Sequence, residues 1–139
     1  MPPRLHEAAR INRVLVVCLI ATSVWHWRLF ATVFRVAPGS LLGVLLLLLW
    51  VLLAGSVIGL ARASRRGYYF TYGLVLYATM FHGLPLVPVV TSLLPTQMLR
   101  SGSVFVLNLG FLSAAIASHR LLESSDRNPM AAPPRRTRT

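Results

Sequence analysis

Residues 41–60 read LLGVLLLLLWVLLAGSVIGL and contain no charged side chain. A bilayer core about 30 Å thick needs about 20 apolar residues in one helix, because each backbone amide must find its hydrogen bond inside the segment. This stretch meets that requirement, and Pro38-Gly39-Ser40 before it supplies a turn and a helix start. Three further stretches have spanning length. Residues 11–30 (INRVLVVCLIATSVWHWRLF) end in Trp25-His26-Trp27-Arg28, which reads as an interfacial belt. Residues 69–90 and 104–122 follow, separated by TSLLPTQMLRSGS, a short loop punctuated by Pro95 and Gly102. The pattern predicts an all-α integral membrane bundle of four transmembrane helices in residues 11–122. It is flanked by a short segment, 1–10, and a basic tail, 123–139.

Composition points the same way. A chain of 139 residues that is 55% hydrophobic and 12% charged, with mean hydropathy +0.66, is too apolar for a water-soluble core of that size. Its formal net charge of +11 comes from 14 arginines against 3 acids, and the arginines sit in clusters between apolar runs. No aromatic residue interleaves the basic tail Pro133-Pro134-Arg135-Arg136-Thr137-Arg138 for base stacking, and nucleic acid is not expected as a partner. Cys18 is alone, so an internal disulfide, a redox pair and a thiolate zinc site are excluded. The acids, Glu7, Glu123 and Asp126, all lie outside the apolar runs. Carboxylate proton relays and paired-carboxylate catalysis inside the membrane are therefore closed to this chain alone. With no Walker, HExxH, GxSxG or dinucleotide motif, no enzyme activity and no catalytic residue are expected.

Arginines also orient the segments, since positive residues in short flanks stay cytoplasmic. Arg4, Arg10 and Arg13 precede the first segment, Arg62, Arg65 and Arg66 join the second to the third, and Arg120, Arg127, Arg135, Arg136 and Arg138 follow at the end. Only Arg28, Arg35 and Arg100 fall in the other connections. Both termini are thus expected in the cytoplasm. The basic start and VLVVCLIATSVW have the character of a signal peptide, yet a retained helix is the expectation. The tail ESSDRNPMAAPPRRTRT has a disorder-prone composition.

Four features are candidates for function. Gly55 and Gly59 form a GxxxG, and Gly110, Ala114 and Ser118 recur at intervals of four; both patterns suit close helix packing, within one bundle or against a second chain. His26 and His82 fall at matching depths on outward-running segments, each sharing a face with a hydroxyl, Thr22 or Thr79, and Asn108 falls near the same layer. Two level imidazoles are what axial ligation of a haem b needs. The expectation is nonetheless that the two histidines lie on opposite sides of the bundle and that no cofactor is bound. Pro85 and Pro88 break the third helix in its outer half and free carbonyls near His82. Finally Arg62, Arg65, Arg66, Arg120, Arg135, Arg136 and Arg138 form a rim that attracts anionic lipid headgroups.

Gly59-Leu60-Ala61-Arg62, Arg65-Arg66-Gly67-Tyr68-Tyr69-Phe70-Thr71-Tyr72, and Leu76-Tyr77 through Phe81-His82-Gly83 together resemble a family of short bacterial inner-membrane proteins of unknown function. That pattern joins two helices by an Arg-Gly turn and continues with Tyr-Thr-Tyr and Tyr-Phe-x-x-Gly elements; Trp25-His26-Trp27 and a helix after Leu99-Arg100 also suit it. Met80-Phe81 stands where the pattern has Tyr-Phe, and an expected Glu near Asn108 is lacking. The resemblance implies four membrane helices in a bacterial inner membrane and no assigned activity. The resulting expectation is a non-enzymatic accessory or assembly subunit of a larger membrane complex, with lipids and other membrane subunits as partners. The alternatives are an oligomeric small transporter or channel using the His26, His82 and Asn108 layer, and a haem-carrying membrane subunit.

Overall fold

A computed structural model of the chain describes residues 3–37, 39–87 and 94–126. Every regular element among them is helical: α1 (Pro3–Trp25), α2 (Trp27–Ala31) with a 3-10 turn Thr32–Phe34, α3 (Leu41–Ala61), α4 (Arg65–Tyr77) running into a π-helical turn Ala78–His82, and α5 (Gln97–Asp126). Three stretches are long and apolar enough to cross a membrane, Arg4–Trp25, Leu41–Ala61 and Gln97–Ser125, which makes this a multi-pass membrane protein. The helices close a ring in which α1 packs between α3 and α5, and α4 packs between the same two on the other side. Leu19, Leu49, Leu74, Leu86 and Ala115 are at its centre.

The α3–α4 hairpin follows from local chemistry. Ser40 caps α3, its Oγ accepting the Gly43 N–H at 3.1 Å. At the other end Ala63 takes the left-handed conformation (φ 49°), the Ala63 N–H donates to the Leu60 carbonyl at 3.1 Å, and the Ser64 N–H donates to the Gly59 carbonyl at 2.9 Å. This is a Schellman closure with alanine where glycine is usual. Ser64 then caps α4, accepting the Gly67 N–H at 3.1 Å. The two helices leave this tight turn side by side, and Gly59 and Gly67 bring their backbones into direct contact. A Cβ on either residue would overlap the other's Cα.

The helix limits differ from the sequence expectation in three places. First, α1 begins at Pro3, so residues 3–10 are helical, and it breaks at His26 rather than running to Phe30. The Trp50 indole N–H donates to the Phe30 carbonyl at 3.1 Å and the two rings meet edge to face, which fastens α2 to the middle of α3. Second, the segment placed at 69–90 starts at Arg65 and leaves the helix at Gly83, which is left-handed (φ 55°, ψ 33°). Pro85 is the physical cause: its ring crowds the preceding turn and disfavours helical backbone at Leu84. The helix opens by one residue into the π turn, and the Ala78 carbonyl accepts N–H groups from both Gly83 and Leu84. Pro88, the second expected breaker, lies outside the described residues, as does Pro38. Third, α5 starts at Gln97, not 104, because Thr96 caps it by accepting the Leu99 N–H at 3.2 Å. Gly102 is therefore inside a helix instead of punctuating a loop. The same helix continues past Leu122 to Asp126, taking in the first residues of the expected tail.

Candidate functional site

The arginine-rich end is organised by a buried polar cluster. Asn12 on α1, Tyr68 on α4 and Ser118 on α5 are all buried. The Asn12 amide donates to the Tyr68 hydroxyl (2.8 Å), Ser118 Oγ donates to Asn12 Oδ1 (2.7 Å), and the two hydroxyls are 3.0 Å apart. The His119 ring stacks on Tyr68 with centroids 4.6 Å apart. Its Nδ1 lies 2.9 Å from the Tyr72 hydroxyl and its Nε2 lies 3.8 Å from Glu123 Oε1. With Nδ1 accepting from Tyr72, the Nε2 proton faces Glu123, so the chain Tyr72–His119–Glu123 leads from the bundle to its rim. Sequence reasoning passes over His119 and Tyr68, and it assigns Ser118 to helix packing. The available signal is a pair of i,i+4 spacings, Tyr68/Tyr72 and His119/Glu123, on helices that face each other.

A second cluster is built at the break after α4. Asn108 on α5 is buried; its amide donates to Thr79 Oγ1 (2.8 Å) and to the Leu84 carbonyl (2.9 Å), and its Oδ1 accepts the Leu86 N–H (2.7 Å). The Leu84 carbonyl, next to the break, thus finds Asn108, which also reaches Thr79, the hydroxyl three residues before His82. The side chain closes backbone groups that hydrocarbon would leave unsatisfied, so nothing of it faces an open path.

His26 occupies the α1–α2 junction, where its carbonyl accepts the Leu29 N–H at 2.9 Å. The His82 ring packs on Tyr77 with centroids 5.3 Å apart, while its Nε2 is buried without a hydrogen bond. Thr22 Oγ1, the hydroxyl one turn below His26, is likewise buried and unbonded. Among the described residues no hydrogen bond or ring contact joins His26 to His82. Nor is there, among the described residues, a group of three or more histidine, cysteine or acidic side chains placed to hold a metal ion.

The small-residue patterns separate. Gly55 meets the Phe70 ring and Gly59 meets Gly67, so the GxxxG packs inside the bundle. Ala114 packs against the core and Ser118 belongs to the polar cluster. Gly110 is exposed with open space where a Cβ would stand. The rim arginines Arg62, Arg66 and Arg120 are exposed and Arg65 heads α4. They lie at the same end as Arg13, which shares a cleft with Ala61 and Ala63, so the structure gathers these cations on one side. Arg135, Arg136 and Arg138 lie outside the described residues. A cavity of about 640 Å³ lies between α1, α2 and α3, open along its length and lined almost wholly by apolar side chains.

Compared with known proteins, the chain matches no family model, no curated protein and no solved structure.

Proposed function

We propose that this chain is a non-enzymatic subunit of a bacterial inner membrane, an accessory or assembly component of a larger membrane complex. It crosses four times with both termini cytoplasmic. The observation that supports the subunit role is Gly110. A glycine in mid-helix costs about 1 kcal/mol against alanine, which a close backbone neighbour offsets. Gly59 and Gly67 have that neighbour inside the bundle, whereas Gly110 has none, and Leu109, Ser113 and Ala117 beside it are exposed too. A helix of another subunit suits this face. The use of Asn108 as a backbone cap counts against the transporter alternative, since its hydrogen-bonding groups are already occupied. For the fourth crossing, α4 and its π turn together rise about 27 Å, close to the hydrocarbon thickness, and the arginine-rich end supports the orientation.

Purification of the full chain in mild detergent tests this reading. A stable partner that co-purifies with the native chain and is lost from Gly110→Ile, while the thermal unfolding of the chain is unchanged, is the expected result. A homo-oligomer with no other subunit would favour the transporter or channel, and a Soret absorption band would favour the haem-carrying subunit; either would overturn the proposal.

A further inference from the structure

A groove runs between α1, α2 and α3. Ile20, Val24, Leu53, Ala54, Val57 and Ile58 are among its lining residues. Away from Trp27 its polar side-chain atoms are already engaged: the Ser23 hydroxyl donates to the Leu19 carbonyl at 2.7 Å, and the Trp50 indole donates to the Phe30 carbonyl. Along α3 it extends from Trp50 to Ile58, about 12 Å at 1.5 Å per residue, and its volume of about 640 Å³ is in the range of small-molecule sites. Such a channel offers an occupant nothing but dispersion and apolar burial, which selects a hydrocarbon chain.

The mouth is different. Trp27 lines the groove, and the Arg28 guanidinium lies 5.9 Å from the centre of its ring. Arg28 and, a few residues on, Arg35 are exposed, and the described acids Glu7 and Glu123 belong to the opposite end of the bundle. A cation held on an aromatic face at the upper end of an apolar channel complements an anionic amphiphile. We infer that the groove seats an acyl chain of an anionic phospholipid, with Arg28 binding the headgroup phosphate. The inference rests on the membrane reading of the fold but not on the subunit role, because α5, which carries Gly110, contributes no residue to the groove.

The test uses tryptophan quenching in vesicles. The full chain carrying Trp25→Phe, which leaves Trp27 and Trp50 as reporters, is reconstituted in phosphatidylcholine with a fixed mole fraction of phosphatidylglycerol. In one sample only the phosphatidylglycerol carries mid-chain bromines; in a second, an equal mole fraction of phosphatidylcholine carries them instead. Stronger quenching by the brominated anionic lipid is expected, corresponding to about fivefold enrichment at the groove, the worth of one interfacial arginine. Arg28→Gln should remove the preference. Arg100→Gln, the same charge change on α5, should retain it, with helix content checked by circular dichroism in each case. Equal quenching by the two lipids would overturn the inference. So would a preference that survives Arg28→Gln, loss of preference in Arg100→Gln as well, or shielding of both reporters by a second chain or another protein.

Discussion

Two glycines on the same helix should respond to alanine with opposite signs. In α4, Gly67 lies against the Gly59 backbone, so a methyl group there meets Cα, carbonyl carbon and carbonyl oxygen, none of which can rotate away. In the same helix a Cβ on Gly73 would meet only the Leu52 Cδ2 at 3.4 Å, an ordinary contact with the end of a flexible side chain. Replacing glycine by alanine inside a helix gains up to about 1 kcal/mol from propensity. That gain is smaller at Gly67, which is in the first turn after the Ser64 cap. Overpacking against rigid neighbours costs about 1 to 3 kcal/mol. Separating α3 from α4 at their tightest point also loosens the layers above, so the upper half of that range applies. Gly67→Ala should therefore destabilise the protein by about 1.5 to 2.5 kcal/mol, and Gly73→Ala should stabilise it by about 0.5 to 1 kcal/mol. Reversible unfolding in mixed micelles with increasing dodecyl sulfate, followed by helix circular dichroism, measures both. If the two variants shift in the same direction, or if Gly67→Ala is neutral, the Gly59–Gly67 contact does not set the spacing of the hairpin.

Ala63 holds a left-handed conformation that costs an L-residue roughly 1 kcal/mol, so Ala63→Gly should raise stability by about 0.5 to 1 kcal/mol in the same assay; no gain would mean that the Schellman closure carries no strain. For topology, in a chain with Cys18→Ala, cysteines at Ser40 and Ser101 should react with an impermeant maleimide from the outer face. A cysteine at Ser64 should react only after the membrane is opened, and labelling of Ser64 from outside would reverse the orientation.

Particular residues show which parts of this architecture a sequence reader can reach. The limits of α3 are legible because an unbroken leucine-rich run, the absence of charge and a serine cap agree on one answer. Elsewhere local signals conflict with tertiary ones. Gly102 reads as a loop residue, yet the Thr96 cap and the apolar run beyond it carry the helix through. Pro85 correctly signals a break, but its place at Gly83 depends on a left-handed glycine and on Asn108 arriving from α5. The Asn12–Tyr68–Ser118 cluster joins positions 56 and 106 residues apart from Asn12, and no local pattern encodes such a pairing. Gly59 reads as a packing residue, and its partner Gly67 is visible only as part of an Arg-Gly turn until the hairpin is folded.

The two polar clusters also have a bearing on biosynthesis. A chain made from its N-terminus holds α1, α3 and α4 before α5 exists. Until then Asn12 and Tyr68 have each other but lack Ser118, and the Leu84 carbonyl and Leu86 N–H beyond the π turn lack Asn108. The Leu84 and Leu86 backbone groups then have no water to turn to in hydrocarbon. The last helix therefore completes both sites together, and a nascent chain stalled before it would present unsatisfied polar groups that mark it as unfinished to the insertion and quality-control machinery.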